Sequence, residues 1–351
     1  MGTSIAPHET AQGVLDVLAG VPLDQAAARI RMEPADLADA VEVYRTAGYA
    51  ALEAQAADRG WYQVRVQFTD WDAAEHTAAT RLGPHLQQIQ DTGVVAVWWF
   101  IRKAPCWRLR LRRDPTTAFD DMKAAVSSVL DSHMTAGLIE RWWETVYEPE
   151  TSAFGGPRGM DIAHDLFHAD SRSILEYLRP GPAAPSELTV GRRELSVLLC
   201  SALFRGAAQE WYEQGDVWHR VTQMRPLPPD APTDRLREMT DGLRRLMTAD
   251  ARPTGGLFGS NGPLAIAAPW AAAFDEAGRA LGAAAHDGTL ERGVRNILAH
   301  HVIFHWNRLG LAARTQSILA RAARDTVMNP PHSLPGARPA RRRDCGHSPT
   351  A

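Results

Sequence analysis

The residues of this chain best suited to acid–base chemistry are polar side chains on two otherwise apolar helical stripes. Within 160–178, apolar residues follow the 3.6-residue repeat of an amphipathic helix, and His164 and Ser171 share their stripe. A second stripe near the end of the chain consists of Ile297, His301, Phe304, His305 and Arg308. Because buried polar groups need partners, each stripe predicts either bonds to neighbouring backbone or the wall of a pocket. We expect both stripes to line one cavity, with Tyr147 at its mouth.

Arginines alternate along the second arm of a predicted β-hairpin, 94–103 followed by 106–113. Arg108 and Arg110 share one face with Arg112, whereas Trp107 lies on the other. Such a face is either a solvated surface or a cationic wall. A wall of this kind would bind an acidic peptide, or the carbonyl and carboxylate groups of a substrate, through paired hydrogen bonds.

Metal chemistry is not indicated by the histidines and cysteines. His164 and His168 form an HxxxH pair, but no third ligand follows at a suitable spacing. The three cysteines are scattered, without CxxC spacing. Scattered thiols also suit a reducing cytoplasm rather than a disulfide framework.

Composition limits the classes of partner. A formal net charge of −3 over 351 residues gives no overall attraction to nucleic acid or to an anionic membrane. The first residues lack the basic and apolar segments of a secretory signal. No apolar run is long enough to cross a bilayer, so we expect a cytoplasmic protein without nucleic-acid or membrane partners.

The periodicities predict an α+β fold in which an antiparallel sheet is flanked by helices. Alternating residues predict strands at 61–68, in the hairpin and at 138–147. Helical patterns cover, in chain order, 72–92, 118–136, the 160–178 segment, 192–212, 234–248, 264–284 and 290–326. The basic tail 331–351 is expected to be disordered.

The first 57 residues predict a separate unit of three short helices, the last of which stops at Gly48. Its spacing is typical of a helix-turn-helix. Asp36, Asp39 and Glu42 on the third helix would repel phosphate, which favours peptide recognition over DNA binding. The predicted domains are therefore 1–57 for leader-peptide recognition and 58–330 for catalysis.

Four segments together resemble the thiopeptide-type bacteriocin biosynthesis family, relatives of the glutamate-elimination domain of lantibiotic dehydratases. They are WYQVRVQF, WWFIRKAPCWRLRLR, YEPETSAFGGPRGMDIAHDLFHADS and HVIFHWNRLGL, and the resemblance spans about 61–329. Elimination domains typically carry an Arg-Tyr pair in the hairpin and a histidine four residues before a late asparagine. This chain has Arg102-Lys103 in the hairpin and Ile303 four residues before Asn307. With these departures the chain looks more like the stand-alone pyridine synthases, and the N-terminal helices fit a separate enzyme.

The resemblance implies a fold like that of the elimination domain and a formal [4+2] aza-cycloaddition. Two dehydroalanines of a modified precursor peptide join in a six-membered nitrogen ring, which loses water and the leader peptide to become a pyridine. This chemistry implies no metal and no cofactor. It requires alkenes held in contact and proton transfers that convert one amide to its imidic-acid tautomer.

The same resemblance implies roles for individual residues. His301 or His305 would act as the general acid or base, since imidazole titrates near neutral pH. Tyr147 and Ser171 would hydrogen-bond the reacting amide, and Asp170 would orient a histidine or cap a turn. The residues that bind the substrate would be Arg102, Trp107, Arg108, Arg110, His164, Asn307 and Arg308.

Two other functions remain open from the sequence. A stand-alone elimination domain would remove glutamate from glutamylated serine, using the same fold and cationic wall. A non-catalytic scaffold would only present the precursor peptide to other enzymes. The sequence leaves open which precursor is used, which ring size forms and which oligomer assembles.

Overall fold

The fold is described from a computed structural model of the chain. It describes residues 6–58, 60–179, 190–231 and 233–329. The tail for which we predicted disorder, 331–351, lies outside the described residues.

Four antiparallel strands form the sheet, which confirms the predicted α+β class. In chain order they are β1 (Trp61–Phe68), β2 (Val95–Lys103), β3 (Cys106–Arg113) and β4 (Ile139–Thr145). Their order across the sheet is β2-β3-β1-β4. The alternation of inward-facing and outward-facing side chains fixes this pairing register, because a slip by one residue would turn every buried side chain of a strand toward water. Cross-strand pairs follow the alternation, and Trp99 faces Arg110, which in turn faces Gln63 on β1.

Helices surround the sheet and continue the chain beyond it. Those before the hairpin are α1 (Pro7–Leu18), α2 (Leu23–Ile30), α3 (Pro34–Asp58), α4 (Ala74–Thr77) and α5 (Gly83–Asp91), with a π-helical turn at Ala78–Leu82. Those after it are α6 (Phe119–Thr135), α7 (Pro157–Leu178), α8 (Arg192–Gly206), α9 (Trp211–Met224), α10 (Thr233–Thr248), α11 (Ala268–His286), α12 (Val294–Leu309) and α13 (Ala313–Met328), with a 3₁₀ turn at Ala265–Ala267.

Three predicted helix boundaries were wrong. The predicted helix 192–212 is two helices, because Ala208 adopts a positive φ and the Glu213 carboxylate accepts the backbone N–H of Glu210 to begin α9. The predicted helix 290–326 is likewise divided at Gly310, whose φ of 77° ends α12 in the left-handed region. Conversely, α3 runs through Gly48, since one glycine costs only about 1 kcal/mol in a helix otherwise rich in alanine.

The helices α1, α2 and α3 have a small apolar core of their own, in which Val14, Leu37 and Val41 are buried. The sheet and the later helices share a second, much larger core. Leader recognition by the first unit stays a prediction.

Helix α7 lies along the edge strand β2 and supplies the partners that the edge of a sheet normally lacks. The Ser171 hydroxyl accepts the backbone N–H of Phe100 at 3.2 Å. His168 Nδ1 donates to the carbonyl oxygen of Trp98 at 2.7 Å. His168 is half-buried, because its ring bonds this edge of the sheet. The position of α7 relative to the sheet is thereby fixed.

Candidate active site

Asp170 joins the two polar stripes. It lies on α7, is fully buried, and accepts hydrogen bonds from three side chains of other helices. Trp270 donates to Oδ1 at 2.8 Å, Arg308 Nε donates to Oδ2 at 2.7 Å, and His305 Nδ1 lies 3.0 Å from Oδ1. Burial would raise the pKa of this carboxyl, but attraction from His305 and Arg308 outweighs it, so the pKa of Asp170 is lowered. Asp170 is therefore ionised at neutral pH.

The bond to Asp170 fixes the proton position of His305. Because Nδ1 faces a carboxylate, it carries the proton, and in the neutral ring Nε2 is left with a lone pair. Nε2 is buried and has no hydrogen-bond partner among the described residues. Asp170 thus orients a histidine, the arrangement that an acid–base role requires.

Arg308 and His301 leave further polar atoms without partners in the same region. Both terminal nitrogens of the Arg308 guanidinium lack partners in the described part of the chain, and so do both ring nitrogens of His301. The guanidinium stacks 4.3 Å from the centre of the Phe167 ring. Burial, followed by the charge of Arg308, lowers the pKa of His301 to about 3, so this ring is neutral at pH 7.

Tyr147 and His164 form a second polar group, on the arginine face of the sheet. The Tyr147 hydroxyl lies 2.7 Å from His164 Nε2. Burial, with the charges of Arg112 and Arg110, lowers the pKa of His164 to about 3. His164 Nε2 accepts the tyrosine O–H when the proton of the neutral ring is on Nδ1. Tyr147 is half-buried, whereas His164 is buried.

Arg110 is held between two aromatic rings beside this pair. Its guanidinium carbon lies 4.2 Å from the centre of the Trp99 ring and 4.5 Å from that of Tyr147. Nε donates to Gln63 Oε1 at 2.7 Å, whereas Nη1 has no partner among the described residues. Burial lowers the pKa of Arg110, yet the guanidinium of an arginine remains charged at neutral pH. A fixed cation with an unpaired N–H is suited to binding a carbonyl or carboxylate oxygen.

Phe167 connects the two groups. Its ring centre lies 4.7 Å from that of Trp99 on one side and 5.9 Å from that of His301 on the other. The structure thus brings both predicted stripes to one region. Their side chains are buried, however, and the Ser171 hydroxyl is occupied by backbone. Tyr147 and the half-buried Arg108 are the predicted site residues of this face that reach solvent.

Three predicted substrate-binding residues lie elsewhere. Arg102 and Trp107 face each other across the hairpin, on the face opposite Arg108 and Arg110. Together with Asn307 they line a separate cavity of about 560 Å³. Arg102 therefore does not join the arginine face formed by Arg108, Arg110 and Arg112.

Several side chains that complete these groups were not predicted from the sequence. Trp270 supplies a third hydrogen bond to Asp170, Gln63 orients Arg110, and Phe167 packs between the two polar groups. Glu75 bonds both Arg102 and Arg192. Phe167 was visible as an apolar stripe position, but the other contacts join residues far apart in sequence.

Within the described residues, no group of three or more histidine, cysteine, aspartate or glutamate side chains is arranged to hold a metal ion. The same part of the chain contains no helix with the length and apolarity needed to cross a bilayer.

The chain is similar to known proteins over most of its length. A family model described as "Lantibiotic biosynthesis dehydratase C-term" matches residues 61–327. A search of curated proteins found no match.

Solved structures that match the chain include those of two other proteins. One is the tRNA-dependent lantibiotic dehydratase MibB from Microbispora sp. 107891, with a TM-score of 0.55 and 19% identity over 76% of this chain. The chain spans 28% of the length of MibB. The other is TsrL, with a TM-score of 0.49 and 14% identity, where 76% of this chain covers 97% of TsrL. At these identities the likeness to MibB shows the fold alone.

Proposed function

The chain belongs to the lantibiotic biosynthesis dehydratase C-terminal family, and we propose that it is an enzyme that modifies a precursor peptide. Its reaction is the formation of a six-membered nitrogen heterocycle from two dehydroalanines, with loss of water and of the leader peptide. The substrate is a modified thiopeptide precursor that still carries its leader, and the enzyme acts in the cytoplasm.

The observation that supports this proposal is the Tyr147–His164 pair beside Arg110. Ring formation requires one amide to become its imidic-acid tautomer, which gains a proton at oxygen and loses one at nitrogen. The unpaired Nη1 of Arg110 is a donor suited to the amide oxygen. The Tyr147 hydroxyl, which His164 holds in place, can take this proton from the amide nitrogen while it gives its own proton to the amide oxygen.

The Asp170–His305 pair would supply the later proton transfers. Loss of water and of the leader amide requires a base for ring protons and an acid for each leaving group. His305 Nε2 is such a base, since Asp170 holds the proton on Nδ1 and stabilises the imidazolium that forms. Use of His305 requires the buried group to open toward the substrate, because the ring is fully buried.

Glutamate elimination is the second candidate, favoured by the family match and by the arginine face. Arg65 and Arg108 lie directly opposite each other on β1 and β3, both half-buried. Two adjacent guanidinium groups can bind the carboxylates of a glutamyl leaving group. A scaffold that binds the precursor without changing it is a third outcome.

Intact-mass analysis with two substrates separates these functions. With a dehydrated, azole-containing precursor, we expect loss of water together with free leader peptide. With a glutamylated precursor, loss of glutamate would instead identify an elimination enzyme. Binding without any change of mass would identify a scaffold.

A matched pair of variants tests the role of the Tyr147–His164 pair. Tyr147→Phe removes only the hydroxyl that bonds His164, so we expect the rate to fall by roughly 10² to 10⁴. Tyr212→Phe is the control, because Tyr212 is 69% exposed on α9. Equal rates for the two variants would remove Tyr147 from the chemistry.

A further inference from the structure

A second site is indicated by the cavity at the tip of the β2–β3 hairpin. It has a volume of about 560 Å³, and its walls include Trp71, Glu75, Arg102, Trp107, Asn307 and Ala313. Arg102 and Trp107 lie on the hairpin face opposite Arg110. The cavity is thus separate from the Tyr147–His164 pair.

One wall of this cavity is the N-terminus of α13. The residue before the helix is Ala312, which provides no side-chain hydrogen bond, and the first turn contains no acidic residue. Both Ala312 and Ala313 line the cavity. The first N–H groups of a helix have no intrahelical acceptor, and the helix dipole makes this end positive. Without a capping side chain, this end of α13 is suited to an anion.

Arg102 adds a cation to the same cavity. Its side chain is 7% exposed, and its guanidinium stacks 4.8 Å from the centre of the Trp107 ring. Nη1 donates to Glu75, whereas Nε and Nη2 have no partner among the described residues. Arg192 holds the same carboxylate through two bonds of 3.0 Å, so Glu75 is shared by two guanidinium groups. The two guanidinium groups of Arg102 and Arg192 and the single carboxylate of Glu75 therefore carry a net charge of +1.

We infer that this cavity binds a carboxylate of a peptide, held between Arg102 and the N-terminus of α13. Asp72 also lines the cavity, but it is exposed at the rim, where water and salt weaken its repulsion. The Asn307 Oδ1 accepts a bond from Gln316, which leaves the Asn307 amide group as a donor.

The remaining walls fit the rest of a peptide rather than a small inorganic anion. Trp71, Trp107 and Leu311 provide apolar surface, and the volume lies within the range of pockets for organic ligands, roughly 300 to 1,000 Å³. The choice of a peptide as the carrier rests on the proposed function. The carboxylate is either a chain terminus or an acidic side chain.

Three short peptides distinguish the two sources by isothermal titration calorimetry with the full chain. They are acetyl-Leu-Ala-Ala as the free acid, the same peptide as the C-terminal amide, and acetyl-Leu-Glu-Ala amide. A site for a chain terminus binds the first at least about tenfold more tightly than the second, because charge-assisted hydrogen bonds are lost in the amide. A site for an acidic side chain prefers the third over the second by a similar factor. Equal binding of all three, or binding of none, would overturn the inference.

Ala312→Asp tests the site without weakening the fold. Aspartate at this exposed position would cap α13 and occupy its N–H groups, so the melting temperature should rise while peptide binding falls at least about tenfold. Arg102→Gln should weaken binding similarly, since Arg192 still neutralises Glu75. Arg279→Gln is the control, an exposed arginine of α11 that pairs with Asp275.

Unchanged binding in Ala312→Asp would show that the helix N-terminus holds no carboxylate. These titrations do not measure turnover. Failure of peptide binding would therefore overturn the carboxylate site alone, whereas failure of ring closure in the mass assay would overturn the proposed function.

Discussion

Replacing Asp170 by asparagine should be among the most destabilising single changes in the protein. The substitution keeps the shape of the side chain but removes the charge that faces Arg308, and both groups are fully buried. It also turns an amide N–H₂ toward donors, because every recorded partner of Asp170 donates to it. Leaving one buried charge without its partner costs about 3 to 5 kcal/mol.

Urea unfolding followed by circular dichroism at pH 7.5 measures this cost. Asp165→Asn is the matched control, an exposed carboxylate on the same helix, for which we expect a change within about 0.5 kcal/mol. The double variant Asp170→Asn with Arg308→Met should recover much of the loss, because it removes the stranded charge as well. A loss below about 1 kcal/mol for Asp170→Asn, or strictly additive losses in the double variant, would refute the reasoning.

Three further predictions concern other parts of the molecule. His301 has a folded pKa of about 3, so the unfolded chain binds its proton first as the pH falls below 6.5, and stability is lost over that range. In His301→Phe, the free energy of unfolding, measured with urea between pH 7.5 and 5.0, should vary less with pH, by up to about 1.4 kcal/mol per pH unit. An unchanged variation with pH would contradict this. Arg110→Gln should lower the free energy of unfolding by roughly 1 to 3 kcal/mol, because Arg110 is buried between two aromatic rings. Arg108 is only half-buried, so Arg108→Gln should change the melting temperature little, but it should weaken precursor binding and make that binding less sensitive to salt. Deleting residues 1–57 should weaken binding of the leader, measured by fluorescence anisotropy, more than turnover at saturating substrate, and specific DNA binding by this segment would contradict its proposed role.

The strands and the hairpin could be predicted because their signals are local. Alternating residues in WYQVRVQF and CWRLRLRR determine which side chains share a face, and the observed register follows that alternation. The stripe on α7 was similarly visible, since a helical period depends only on the spacing along one segment. The departures from prediction at Gly48 and Ala208 arise where one residue's preference is outweighed by its neighbours.

The candidate site could be predicted only as two separate stripes. That Asp170 receives His305 and Arg308 depends on how α7 packs against α12, and these residues are 135 and 138 positions apart. The Glu75–Arg192 pair is likewise 117 positions apart. No local pattern specifies such a contact. Sequence spacing also does not reveal that Arg102 and Arg110 lie on opposite faces of the hairpin, because this depends on the register in which the two strands pair.

The cover that α7 places on β2 has a consequence for local motion. Amides at the edge of a sheet usually exchange their protons with solvent rapidly, since they lack an acceptor. The Phe100 amide points outward from the sheet, yet it is bonded to Ser171 inside the core. Its exchange then requires separation of a helix from the sheet rather than fraying of a strand. Phe100 should therefore exchange as slowly as amides in the centre of the sheet, so that its proton reports opening of the helix that carries Asp170.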